Sequence, residues 1–279
     1  MESILVSPYL LSKDDDFETA KSLVDANFEL KDLSFDIGYQ SCLARAFDWN
    51  ISLLHCAIGD KHFIKYVRFH DVTLNGQFFG NDIYSTYGHG GWLSNRLAFP
   101  EELETLRRAE ADFFTKYDVI CEYCETAEVS NPSIDEFLHP CNFSRKKSVL
   151  WLDLTLSMDK LWAGIKEKQR KSIISSLKKG VSISTSAPLT ERVQRFESKY
   201  RMFIRAKGAD SFWQFPEGFF EHFHLSLPAS SVSCFEALWR GVVVGGFYNL
   251  SLNGCAYYFF SYTDPEYKFL SCNSVLMWF

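Results

Sequence analysis

Cys234-Phe235-Glu236-Ala237-Leu238-Trp239, Val242-Val243-Val244-Gly245-Gly246-Phe247-Tyr248-Asn249-Leu250-Ser251-Leu252 and Cys255-Ala256-Tyr257-Tyr258-Phe259-Phe260-Ser261-Tyr262 are three β-rich runs separated by the dipeptides Arg240-Gly241 and Asn253-Gly254. Dipeptides of this kind take the positive φ angles of two-residue hairpin turns, so the region reads as an antiparallel meander. Strand alternation places Tyr258, Phe260 and Tyr262 on one face of the last run and Tyr257, Phe259 and Ser261 on the other. After Asp264-Pro265, a polar approach, Leu270-Ser271-Cys272-Asn273-Ser274, leads into Val275-Leu276-Met277-Trp278-Phe279, which reads as the first turns of a helix. A meander that feeds a helix N-terminus aims free backbone N–H groups and the positive end of the helix dipole past the strand ends. That makes a seat for an anion, with Ser271, Asn273 and Ser274 as donors. The same three residues also read as ordinary caps.

Working upstream, Val149 to Leu154 alternates as a strand. Ser157 then caps a helix that starts at Met158 and stops at Gly180, with Leu156 and Leu161 as a hydrophobic staple. Lys166, Lys168, Arg170, Lys171, Lys178 and Lys179 put six positive charges into it. At 100° per residue they do not share a face, and a solvated helix surface explains them as readily as an anion partner. A second helix runs from about Thr190 through Val193, Phe196, Tyr200, Phe203 and Ile204 to the stop Gly208, and a third begins at Pro216 with Phe219, Phe220, Phe223 and Leu227.

The first half has a similar plan. Asp14-Asp15-Asp16 opens an amphipathic helix, because acidic residues suit its N-terminus. Trp49 to Ile58 and Phe63 to Phe69 form a hairpin around Gly59-Asp60, and strand-like pieces continue to Tyr84. The glycine-rich loop Tyr87-Gly88-His89-Gly90-Gly91-Trp92 follows. Pro100 then starts a helix to about Tyr117, and Val119 to Tyr123 reads as a strand. Three glycines in four positions permit a ligand to approach the backbone closely, or simply make a tolerant turn. Asn131-Pro132-Ser133 and Arg145-Lys146-Lys147 bracket the linker-like region, so the expected domains are 1–147 and 148–279.

With 279 residues, 47% hydrophobic and 23% charged, the chain is an ordinary globular one, which excludes disordered and fibrous classes. No long apolar run or basic leader occurs, so a cytoplasmic protein without membrane insertion is expected. Between Arg145 and Lys207 there are 16 Lys and Arg against 5 Asp and Glu, whereas the rest of the chain has 13 against 30. Only the middle looks built to meet an anion. The eight cysteines read as reduced core thiols. Cys121 and Cys124 are expected to be buried or half-buried strand thiols on opposite faces, and with His139 and Cys141 they lack a second Cys-x-x-Cys, so no metal is expected. No Gly-x-Gly-x-x-Gly follows a strand, and neither a Walker lysine loop nor a Gly-x-Ser-x-Gly elbow is present.

Three segments resemble the Fem family of peptidoglycan-bridge aminoacyltransferases and its acetyltransferase-like relatives in the GNAT superfamily. The family's Ser-Pro-Tyr-Gly-Tyr-Gly-Gly-Pro loop is similar to Ser85-Thr86-Tyr87-Gly88-His89-Gly90-Gly91-Trp92, with Thr86, His89 and Trp92 as departures. Its strand, basic helix and second strand resemble Val149 to Leu154, Leu161-Trp162, Gln169 to Ile173 and Lys178 to Ile183. Its closing part resembles Phe196 to Tyr200, Phe219-Phe220, Gly241 to Gly246, Tyr257-Tyr258, Tyr267-Lys268 and Ser271 to Leu276. Together they cover about residues 49–279.

The resemblance implies an α/β fold with mixed sheets in tandem GNAT-like domains, the second one incomplete at its C-terminus, and an acceptor bound in a cleft between them. It also implies transfer of an acyl group, from acyl-CoA, to an amine or hydroxyl of a cell-envelope precursor or amino sugar. Aminoacyl-tRNA is the alternative donor, and a non-catalytic GNAT-fold binding protein is the alternative class. His89, Tyr258 and Asp264 are then candidates for proton handling. Tyr87, Gly88, Gly90, Gly91, Tyr200, Tyr257 and Tyr262 are candidates for the acceptor site, Arg170 and Lys171 for acceptor or tRNA phosphates, and Ser271, Asn273 and Ser274 for the donor phosphates.

Overall fold

Each two-residue turn named above closes a hairpin in the computed structural model, which describes residues 5–29, 32–87, 90–125 and 150–279. Arg240-Gly241 and Asn253-Gly254 have positive φ at both positions, and so does Asn75-Gly76, a turn that the sequence reading passed over. The chain divides into two compact units, Met1–Lys147 and Ser148–Phe279.

The first unit is built on the sheet β1(Ser7–Leu10)-β2(Ile51–Ile58)-β3(Lys61–Leu74)-β4(Gln77–Tyr84)-β6(Val119–Tyr123), with the short β5(Leu93–Ser94) pairing with β3. Neighbours are antiparallel except β4 and β6, which run parallel. A parallel pair needs a crossover, and α3(Pro100–Lys116) supplies it. Leu103, Leu106, Ala109 and Phe113 of α3 pack on Leu54, Cys56, Phe63, Val67 and Ile83. Before β2 come α1(Asp14–Asn27) and α2(Ile37–Phe47), which bury Ala20, Val24, Tyr39 and Leu43. Cys121 is exposed, a correction to the buried or half-buried thiol expected, because β6 is the last strand of its sheet among the described residues.

On β2 and β3, His55 Nε2 lies 3.0 Å from His62 Nδ1 with the rings stacked. Burial, and then the neighbouring His62, hold the His55 pKa down to about 4. An unfolded histidine titrates near 6.5, so between about pH 6.5 and 4 the unfolded chain takes up a proton that the native chain refuses. The first unit should therefore lose stability as pH falls through that window. Thermal melts of His55→Asn should show a shallower fall than the parent, and an unchanged slope would remove His55 as the cause.

The second unit carries α4(Met158–Gly164), α5(Glu167–Lys178), α6(Leu189–Ala206) and α7(Phe219–Ser226) around the antiparallel sheet β10(Cys255–Thr263)-β9(Val242–Leu252)-β8(Val232–Trp239)-β7(Val181–Ser184), and then α8(Cys272–Leu276). Two expectations are corrected here. The single helix from Met158 to Gly180 is broken, because Ile165 is extended. Arg170 Nη1 reaches back to the carbonyls of Trp162, Ala163 and Ile165, at 3.2, 3.0 and 2.6 Å, and takes over acceptors that a continuing helix would have bonded. Residues 150–154 are not a strand either: among the described residues they have no ladder partner, and Thr155 donates both its N–H and its hydroxyl to Asp153 Oδ1, which turns the chain. Val149 lies outside the described residues.

One face of the second sheet packs an aromatic cluster in which Phe196 touches Tyr200, Phe220, Tyr248 and Tyr262. On the other face, α8 buries Cys272, Val275 and Leu276 against Val181, Ala237 and Val244.

Candidate functional site

In the first unit the glycine-rich segment begins where β4 ends. Ser85 is held from two sides, since its N–H donates to the Tyr123 carbonyl at 2.9 Å and its hydroxyl accepts the Glu125 N–H at 2.8 Å. The Gly90 N–H bonds the Glu125 carbonyl at 2.5 Å. A Cβ on Gly90 would lie 2.6 Å from the Ser85 Cβ, so this glycine is required by the loop's own packing. Gly91 has a φ of 94°, which glycine adopts freely. The Tyr87 carbonyl accepts the Tyr39 hydroxyl at 3.1 Å, and burial pushes the Tyr87 phenol up to about 12, so it stays protonated. Trp92 closes the loop by donating Nε1–H to Glu110 at 2.7 Å. Gly88 and His89 lie outside the described residues.

In the second unit the chain leaves β10 through a bulge. Pairing with β9 shifts between Tyr258 and Phe260, and the extra residue is Phe259. The alternation expected from the sequence is therefore corrected, because one inserted residue reverses every side chain on one side of it. Phe259 and Phe260 both touch Phe219 of the aromatic cluster. Tyr258 instead stacks on Phe247 at 5.2 Å and its hydroxyl lies 2.5 Å from the Ser261 hydroxyl. Tyr258 is half exposed, which leaves its phenol accessible. Tyr257 is half-buried on the same strand.

Beyond β10, Asp264 donates its N–H to the Val244 carbonyl at 3.0 Å. Its carboxylate accepts the Glu266 N–H at 3.2 Å and pairs with Lys199 at 3.5 Å. Ser271 takes a left-handed φ of 51° and turns the chain into α8. The Ser274 hydroxyl meets that of Ser172 at 3.1 Å, and the Asn273 Oδ1 is buried without a hydrogen-bond partner. The Ser176 hydroxyl reaches the Leu270 carbonyl at 2.5 Å, and Lys179 donates to the Phe269 carbonyl at 2.6 Å. Sequence reasoning missed these braces on α5. The signal was there: Ser172 and Ser176 are four apart among Ile173 and Leu177, on neighbouring turns of one helix. Burial pushes the Cys272 thiol up, so it is not a nucleophile.

The structure brings the other sequence candidates to different ends. Arg170 spends Nη1 on the α4 carbonyls, and Lys171 pairs with Glu167 at 2.7 Å on the surface. Tyr200 and Tyr262 are only 4% and 2% exposed and lie within the aromatic cluster. A small cavity of about 130 Å³ between α6 and the segment after it is lined by Arg201, Ile204, Arg205, Trp213, Gln214 and Phe215. Among the described residues no three His, Cys, Asp or Glu side chains form a metal-binding group, and no helix is long and apolar enough to cross a membrane. His139 and Cys141 lie outside the described residues.

Residues 168–278 match the acetyltransferase (GNAT) domain family. The fold is similar to the crystal structure of FemX, with a TM-score of 0.61, 10% identity, and coverage of 94% of this chain and 82% of that one. No curated protein matches the sequence. Both findings agree with the resemblance read from the sequence motifs.

Proposed function

From a GNAT-type acetyltransferase domain at residues 168–278 in a chain with a FemX-like fold, we propose an acyltransferase that moves an acyl group from a coenzyme A thioester to an amine or hydroxyl of a cell-envelope precursor or amino sugar. The observation that carries this reading is the extent of the family match. It runs from α5 to α8 and takes in the β10 bulge, the Asp264 turn and the seryl braces that hold it.

The acceptor's nitrogen or oxygen attacks the thioester carbonyl, the new bond forms as the carbon–sulfur bond breaks, and the acceptor's proton ends on the departing thiolate. Tyr258, accessible and hydrogen-bonded to Ser261, is our choice for the group that passes this proton. Asp264, tied to Lys199 and the Glu266 N–H, positions the turn. Ser271, Asn273 and Ser274 stand beside the donor's phosphates, and the Tyr87–Gly91 loop contributes to the acceptor seat. The two domains of this reading, 1–147 and 148–279, are each GNAT-like.

Incubation of the purified chain with acetyl-CoA and a panel of amines and amino sugars, read by free-thiol release and mass spectrometry, tests it. Tyr258→Phe should lower kcat about 100-fold with little change in the donor KM. Full activity in that variant would remove Tyr258 from the chemistry, and absence of turnover with any donor would favour a binding protein of the same fold. The basic stretch from Arg145 to Lys207 supports aminoacyl-tRNA as a second reading of the donor. In that case transfer should fall steeply with salt, as phosphate contacts do.

A further inference from the structure

Among the described residues of the first unit, the buried side-chain polar atoms without a hydrogen-bond partner include an acceptor, Gln40 Oε1, and three donors: the Tyr66 hydroxyl, the Arg68 Nε and the Thr86 hydroxyl. Strand register explains why they belong together. Tyr66 and Arg68 are alternate residues of β3 and share one face of the sheet. Arg68 pairs with Tyr84 on β4, and Thr86 follows two residues beyond that pair, just past the end of the strand. Tyr66 is 1% and Thr86 5% exposed, so bulk water does not reach them.

Among the described residues, Arg68 has neither a carboxylate partner nor a hydrogen bond from its side chain. Its guanidinium lies over the rings of Trp49 at 4.3 Å and Tyr84 at 5.1 Å. Burial pulls its pKa down, countered only by Tyr84. The nearby acids are engaged elsewhere: Asp36 accepts the Tyr39 N–H at 2.7 Å as the cap of α2, and Asp82 sits 3.5 Å from the Tyr84 hydroxyl. His70 packs edge-on against Tyr84.

Native chains pair nearly all their buried polar groups, with protein atoms or ordered water, so three unpaired donors on β3 and just past β4 point to a partner outside the chain. Each of the three can donate a proton, and one of them belongs to a cation, so the partner accepts hydrogen bonds and carries negative charge. We propose that Arg68, Tyr66 and Thr86 form a binding site for an oxyanion, a carboxylate or phosphate group of a ligand, with Trp49 and Tyr84 holding the guanidinium flat. Thr86 directly precedes Tyr87, so an anionic group on the acyl acceptor would deepen the acceptor reading of that loop, and to that extent the proposal rests on it. Anion binding itself requires no transfer.

The test follows the Arg68 Nε–Hε resonance of the full chain by ¹⁵N NMR, assigned through Arg68→Lys, during titration with inorganic phosphate and with acetate against chloride at constant ionic strength. A saturable shift with one of the two is expected, and which one separates phosphate from carboxylate. Tyr66→Phe and Thr86→Val should each weaken binding about tenfold. Arg68→Met should abolish the phosphate- or acetate-dependent rise in Tm. Without anion, the Tyr66→Phe and Thr86→Val chains should melt no lower than the parent, since each loses only an unpaired hydroxyl. No saturable shift with either anion, or a clear loss of stability in both hydroxyl variants without anion, would overturn the proposal. Anion binding without acyl transfer would count against the transferase reading alone, and transfer without anion binding against this site alone.

Discussion

Lys65→Met should destabilise the first unit by about 3–5 kcal/mol, because it removes one partner of a buried charge cluster and leaves the others unpaired. Lys65 is 1% exposed on β3, 3.0 Å from Glu110 of α3 and paired also with Glu122 of β6. Burial by itself would lower the ammonium's pKa, but Glu110 and Glu122 outweigh it and the net shift is upward, so the cluster is charged at neutral pH. Glu110 also accepts the Trp92 indole N–H at 2.7 Å. The cluster thus ties together three elements distant in sequence and anchors the end of the glycine loop. Urea unfolding followed by tryptophan fluorescence would measure the loss. Lys65→Met/Glu110→Gln should recover part of it, since the second change removes a stranded charge. A double variant as unstable as the sum of the singles would mean that packing, and not charge pairing, sets the effect.

Phe196→Ala should destabilise the second unit by about 3–5 kcal/mol, the range for deleting a buried ring. Phe196 is 1% exposed and touches four aromatic rings, with Gly246 of β9 beneath it. A Cβ on Gly246 would come 2.6 Å from the Tyr262 ring and 2.9 Å from the Phe196 ring. Gly246→Ala should therefore overpack the same seat, at about 1–3 kcal/mol. Combining the two should be less harmful than their sum, because the cavity left by the ring receives the added methyl. Strict additivity in denaturant midpoints would show that the two residues do not share one space.

The sequence by itself determined the parts whose causes are local. Asn253-Gly254 and Arg240-Gly241 each end in a glycine, which takes the positive φ of a two-residue turn without strain, so the hairpins were legible. Helices α1, α3 and α6 were legible from apolar spacing and their end signals, because a helix bonds only within itself. The order of the motifs pointed to the resemblance to GNAT-type proteins. Only the tertiary structure decided the rest. The bulge at Phe259 depends on which β9 residue each β10 residue meets, and it moved Tyr258 away from Tyr262. The break after Gly164 depends on where the Arg170 guanidinium reaches. Residues 150–154 alternate like a strand, but a strand exists only through a ladder with a neighbour, and among the described residues none pairs with them. The fates of Tyr200, Tyr66 and Arg68 were hidden for the same reason: burial and unmet hydrogen-bonding capacity arise from neighbours brought in by the fold, and a side chain's own chemistry does not encode them.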